Sequence, residues 1–154
     1  MRLAIYQPDI PQNTGTMLRL AACLGIPVDL IGPAGFDMSD RQFRRAGLDY
    51  LDHVAIARHE SFEMFVDRLA AERPAPRLVL LSTHADATHV GYAFRADDVL
   101  LVGRESAGVP EAVHARADAR VRIPMRAGLR SLNVAVAAAL VLGEALRQTG
   151  GFAE

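Results

Sequence analysis

Two uninterrupted aliphatic runs, Leu78-Val79-Leu80-Leu81 and Val99-Leu100-Leu101-Val102, leave this chain few folds to choose from. Neither alternates with polar residues, so a strand made from either presents apolar side chains on both faces. Such strands need cover above and below, which a parallel sheet between two helical layers provides. Turn-forming residues follow each run, as expected for central strands.

The rest of the chain alternates strand and helix. Leu3 to Tyr6 forms a first strand ending at Gln7-Pro8, and the segment from Pro8 to Gly15 reads as an ordered loop rich in proline and turn formers. Asn13 is placed to cap a helix from Thr14 to Leu24, stopped by Gly25. Val28 to Ile31 is a second strand, closed by Gly32-Pro33. Asp40 caps a short basic helix, Arg41 to Ala46, which Gly47 stops, and His53 to Ala57 reads as a third strand. Ser61 opens a helix whose Phe62, Phe65, Val66, Leu69 and Ala70 share one face. The expected fold is α/β, an open and mostly parallel sheet flanked by helices, in a single domain over residues 1–154.

The last third carries the most apolar helix. After a strand at Val121–Ile123 the chain breaks at Pro124 and crosses a loop holding Arg126, Gly128 and Arg130. Ser131 is the expected N-cap and Gly150 the C-terminal stop. Nine consecutive apolar residues run from Val134 to Leu142, four of them alanine. A helix apolar all round is covered on more than one side. It is therefore either the centre of the monomer core or half of a subunit interface.

Composition removes several classes of function. With 51% hydrophobic and 23% charged residues the chain is globular rather than disordered. The nine-residue run is about half the length of a membrane span, and the amino terminus opens as a strand rather than as a signal peptide. Cys23 is the single cysteine, which points to a reducing cytoplasm and to a small buried hydrophobe rather than a disulfide. All 17 basic residues are arginine. A GC-rich coding sequence accounts for that, as does a demand for guanidinium forks, which bind phosphate bidentately and stack on bases. The net charge of −1 excludes indiscriminate coating of nucleic acid. It leaves room for local basic clusters at Arg41, Arg44 and Arg45 and at Arg120, Arg122, Arg126 and Arg130.

Ligands of open parallel sheets sit at the carboxyl ends of the strands. After strand 99–102 comes Gly103-Arg104-Glu105-Ser106-Ala107-Gly108-Val109-Pro110, where two glycines bracket charged and hydroxyl side chains. It lacks the Lys-Ser/Thr of a phosphate-binding P-loop, and no G-x-G-x-x-G follows any strand. The five histidines show no paired-ligand spacing, so no metal site is expected and each reads as a surface or loop residue. Ser106 and Ser131 lack a nucleophile-elbow context.

Three blocks at the strand ends resemble one family. Asn13-Thr-Gly-Thr-Met-Leu-Arg19 is similar to an Asn-x5-Arg motif and follows a Tyr6-Gln-Pro-Asp-Ile-Pro opening. Gly103 to Pro110 is similar to G-x-E-x-x-G-L-P, and Ile123-Pro-Met125 with Arg130-Ser131-Leu-Asn133 forms the third block. Together, in order and over nearly the whole chain, they resemble the SPOUT methyltransferases, and most of all the small tRNA ribose 2′-O-methyltransferases that modify the wobble nucleotide. Arg44-Arg-Ala-Gly-Leu-Asp49-Tyr50 is also similar to that group. The chain departs from the pattern at Thr16, Val109, Ala135 and Val136.

The resemblance implies a C-terminal trefoil knot, S-adenosylmethionine as cofactor, a cytoplasmic homodimer, and tRNA with its anticodon stem-loop as partner. It implies that Leu81, Gly103, Ile123 and Ser131 hold the adenosyl group, largely through backbone. Arg19 is implied as the catalytic arginine, either as base or as a charge that stabilises the developing alkoxide. Asn13, Glu105 and Asn133 are implied to orient the ribose and the arginine. Arg41, Arg44, Arg45, Arg126 and Arg130 are the candidate RNA contacts. A 2′-O-methyltransferase of another RNA, such as ribosomal RNA, and a non-catalytic RNA-binding module are the competing functions.

Overall fold

The computed structural model of this chain describes residues 1–37 and 48–152. Strands β1 (Arg2–Tyr6), β2 (Val28–Ile31), β3 (Ile56–His59), β4 (Leu78–Leu81), β5 (Ala87–Thr88), β6 (Val99–Val102) and β7 (Ala119–Arg122) form one sheet. Their order is β3-β2-β1-β6-β4-β7-β5, and every pairing is parallel. The helices are α1 (Pro11–Leu24), α2 (Phe62–Ala71), α3 (Glu111–Arg116) and α4 (Val134–Thr149).

The two aliphatic runs are β4 and β6, at the middle of the sheet and paired with each other, Leu80 opposite Leu101. Their side chains divide between two cores. Leu100 and Val102 join Leu3, Ile5, Met17, Leu18, Ala138 and Leu142 beneath α1 and α4. Val99, Leu101 and Leu80 join Phe62, Phe65, Leu69 and Val113 on the α2 and α3 side. At roughly 1.5–3 kcal/mol for each large side chain removed from water, this double cover is the main force holding the layers.

Helix ends follow local chemistry with two corrections. Ser61 caps α2, its Oγ accepting from Met64 N at 3.2 Å, and Gly25 and Gly150 end α1 and α4 at φ 66° and 63°. Helix α1, however, starts at Pro11 rather than Thr14 and has no side-chain cap at Ile10. Proline in the first turn has no N–H to satisfy, so less capping is needed and Asn13 is released for other work. Helix α4 is capped by Asn133, not Ser131: Asn133 Oδ1 accepts from Ala135 N at 2.9 Å and Val136 N at 3.3 Å.

The third strand is also displaced. A 3-10 turn occupies Leu48–His53, and β3 runs Ile56–His59 with Ala57 opposite Asp29. This register brings His59 Nε2 within 2.7 Å of Asp29 Oδ1, and both residues are buried. A strand ending at Ala57 would leave that inward carboxylate without its partner. His59 is thus a core histidine rather than a surface one. Cys23 lies on the exposed side of α1 and not in the core. The short strand β5 and helix α3 carry too few residues to show a period in the sequence. The basic helix expected at 41–46 lies outside the described residues.

Candidate active site

Because all strands are parallel, the segments that follow β1, β4, β6 and β7 leave the same edge of the sheet. They enclose a cleft of about 710 Å³, within the size range of small-molecule sites. Leu81, Gly103, Ile123 and Ser131 all line it, as do Asn13, Glu105 and Asn133. Seven residues spread over the chain therefore meet in one place.

The segment after β6 is shaped by two glycines. Arg104 N donates to Gly108 O, and Gly108 N to Arg104 O, both at 2.9 Å, folding Gly103–Gly108 back on itself. A Cβ on Gly103 would lie 2.6 Å from the Gly108 carbonyl carbon, and Gly108 has φ 65°. Only glycine fits the first position, and glycine is strongly favoured at the second. Backbone groups are thereby brought to the cleft wall without side chains in the way. The other walls combine apolar residues (Val102, Val121, Val141) with polar ones (Ser82, Thr83, His84).

Asn13 and Asn133 act as a unit. Asn133 Nδ2 donates to Asn13 Oδ1 at 2.9 Å, while Asn133 Oδ1 caps α4. One pair of side chains thus ties the starts of α1 and α4 together at the rim. Glu105 Oε2 accepts from Asp9 N at 3.3 Å, and Glu105 Oε1 is buried without a protein partner. Burial first, and then the neighbouring Asp9 carboxyl, push the Glu105 carboxyl above the usual range.

Arg19 is not among the residues that line the cleft. It is exposed, with its guanidinium 4.6 Å from the centre of the Tyr50 ring. The helix explains this: six residues at about 3.6 per turn separate Asn13 and Arg19 by roughly 240° around the axis. Asn13 faces the cleft, whereas Arg19 shares an outer stripe with Gln12, Thr16 and Cys23. Arg126 and Arg130 are exposed on the segment between β7 and α4 and do not line the cleft. Arg41, Arg44 and Arg45 lie outside the described residues.

Sequence reasoning missed Thr83, His84, His114 and Met125 as lining residues. His84 carried a signal, since it follows β4 at the ligand edge. His114 carried none, because only the packing of α3 turns it to the cleft. Among the described residues no group of three or more metal-ligating side chains comes together, and no helix is long and apolar enough to cross a membrane.

Comparison with known proteins extends over the same residues. Residues 1–143 match the model of the SpoU rRNA Methylase family. A tRNA (cytidine(34)-2′-O)-methyltransferase of Beijerinckia indica is 66% identical over 152 residues, covering 99% of this chain and 94% of the relative. A solved structure described as giving structural insights into the 2-OH methylation of C/U34 on tRNA is 44% identical, with a TM-score of 0.88 over 96% of this chain and 94% of its own. The SpoU methyltransferase AviRb of Streptomyces viridochromogenes, in complex with the cofactor AdoMet, is 32% identical with a TM-score of 0.88, over 96% of this chain and 60% of its own.

Proposed function

The chain belongs to the SpoU rRNA Methylase family, and on that footing we propose that it transfers a methyl group from S-adenosylmethionine to the ribose 2′-oxygen of the wobble nucleotide, cytidine or uridine 34, of tRNA. The observation that carries this reading is the convergence of Leu81, Gly103, Ile123, Ser131, Asn13, Glu105 and Asn133 on one glycine-cradled cleft, in a chain so similar along its whole length to tRNA cytidine-34 enzymes.

The cleft suits the cofactor. The side-chain-free wall at Gly103 admits a flat base against backbone, and the apolar walls cover its faces. S-adenosylmethionine, when bound, supplies a methyl carbon already activated by its sulfonium. The protein's own part is alignment, which is worth about 7 kcal/mol or more at best. Leu81, Gly103, Ile123 and Ser131 hold the adenosyl group. Asn13, Asn133 and Glu105 orient the ribose. Arg19, whose guanidinium stays protonated in proteins, acts by charge on the developing alkoxide or the adjoining phosphate.

We further infer a homodimer, a single domain threaded as the family's trefoil knot, and a cytoplasmic location. Val136 and Leu140, one turn apart on α4, are 50% and 46% exposed although both are apolar, and Arg19 on α1 faces away from its own chain's cleft. A second copy covering these faces would hide the one and give the other a cleft to serve. Static light scattering at micromolar concentration tests this, and a monomer mass would remove it.

The function is tested by calorimetry with S-adenosylmethionine, followed by methyl transfer to total tRNA and nuclease mapping. A 2′-O-methyl nucleotide at position 34 is the expected product. Cofactor binding with methylation only of ribosomal RNA would move the substrate, and binding without any transfer would leave a non-catalytic module.

A further inference from the structure

Asp9 is not among the residues that line the cleft, yet it joins two of its walls. It lies between β1 and α1, and its carboxylate reaches the tip of the segment after β6, 96 residues away. Asp9 Oδ1 accepts from Glu105 N at 3.2 Å, and Asp9 Oδ2 accepts from the Ser106 hydroxyl. In return Asp9 N donates to Glu105 Oε2 at 3.3 Å. The clasp is reciprocal. Each residue uses both its backbone N–H and its side chain on the other, and Glu105 is left with Oε1 free of any protein partner.

Asp9 is held from behind as well. Gly35 N donates to Pro8 O at 2.8 Å, and a Cβ on Gly35 would lie 3.1 Å from both Cα and Cβ of Asp9. The base of the Gly103–Gly108 segment is closed separately by the paired bonds between Arg104 and Gly108. Cofactor-facing backbone and the Glu105 tip are therefore fixed by different contacts.

We propose that Asp9 is a positioning residue for methyl transfer: wedged against Gly35, it locks the tip of the Gly103–Pro110 segment so that Glu105 is presented to the cleft with one oxygen uncommitted. This rests on the methyl-transfer reading above. The two carboxyls also polarise each other. The hydrogen bond with Glu105 holds Asp9 below its ordinary range, while Glu105 is raised. Asp9 is thus the ionised, accepting member of the clasp.

The test uses the full chain with S-adenosylmethionine and tRNA, measuring kcat, KM for tRNA and cofactor Kd for Asp9→Ala, Asp9→Asn and Gly35→Ala. Misplacing a reacting group by an ångström can cost about 100-fold, so Asp9→Ala is expected to lower kcat about tenfold or more. Cofactor Kd should stay within about threefold, because the Arg104–Gly108 bonds remain and fix the backbone there. Asp9→Asn keeps one acceptor oxygen and should recover part of the loss. Gly35→Ala removes no functional group, yet should lower kcat in the same direction by shifting Asp9. An inactive wild type would strike the parent reading instead. An active wild type with kcat unchanged in Asp9→Ala and Gly35→Ala overturns this inference. So does a loss in Asp9→Ala that follows only the folded fraction seen by circular dichroism while Gly35→Ala stays fully active.

Discussion

The two ends of strand β6 are built to opposite purposes. At its amino end Asp98 is fully buried and fully engaged. Arg77 grips it with Nε and a terminal nitrogen at 2.8 Å each, and Arg95 N donates to it at 2.8 Å. At its carboxyl end, two and three residues beyond Val102, Arg104 Nε and Glu105 Oε1 are buried with no hydrogen-bond partner in the protein. An orphaned buried polar atom costs about 1–3 kcal/mol. The strand thus keeps its uncompensated groups at one end only, beside the cleft. Closing an end contributes stability, and leaving one open contributes a place for a ligand.

Substitutions at the two ends should therefore separate function from stability. The largest effect is expected from Gly103→Ala, whose new Cβ would collide with Gly108 backbone at 2.6 Å. Overpacking of this kind costs about 1–3 kcal/mol, and the shifted wall should weaken S-adenosylmethionine binding by two orders of magnitude or so. Calorimetry reads it directly. Normal affinity would mean that the glycine cradle is not the cofactor's seat.

Arg19→Ala comes next. If the guanidinium stabilises developing charge, turnover should fall about 10²-fold, without the added stability loss of Gly103→Ala and with cofactor affinity nearly unchanged, because Arg19 does not line the cleft. Comparable single-turnover rates in mutant and wild type would sink the role. Asp98→Ala is the converse at the closed end. Removing a buried carboxylate that accepts hydrogen bonds from a part-exposed guanidinium costs about 1.5–3 kcal/mol, visible in urea denaturation, while kcat per folded molecule should stay at the wild-type value. A selective loss of turnover there would erase the distinction between the two ends.

The smallest effect is expected at Glu144 on α4. Arg147 and Gln148 hydrogen-bond its carboxylate and hold it well down, at about 2. A depressed carboxylate stabilises the fold above its unfolded pKa and loses that contribution as pH falls through the folded value. Arg147 is largely exposed, so solvent and salt screen the pair. Glu144→Gln should leave the melting temperature at neutral pH unchanged within error, in contrast to Asp98→Ala.

Much of this protein was legible before any coordinates. The apolar runs at 78–81 and 99–102 point to a parallel sheet covered on both faces, because that arrangement hides both sets of side chains. Gly25, Ser61 and Gly150 mark helix ends through local backbone chemistry, which needs no distant partner. The glycine pair at 103 and 108 marks the turn for the same reason.

What failed was whatever depended on a remote contact. Asn13 does not cap α1 and Asn133 takes the cap expected of Ser131, while the bond between the two asparagines exists only once α1 and α4 pack side by side. The start of β3 is decided by Asp29 on a neighbouring strand, which draws His59 inward. The clasp of Asp9 on Glu105 joins residues 96 positions apart, and nothing in a proline-rich loop announces it. The direction of Arg19 follows from the rotation of α1, which is set by the core it covers. Residue types and short spacings thus determine which elements form and which chemistry is available. Tertiary packing alone decides which side chains meet and which polar atoms are left without a partner, because those depend on distances that the chain acquires only on folding.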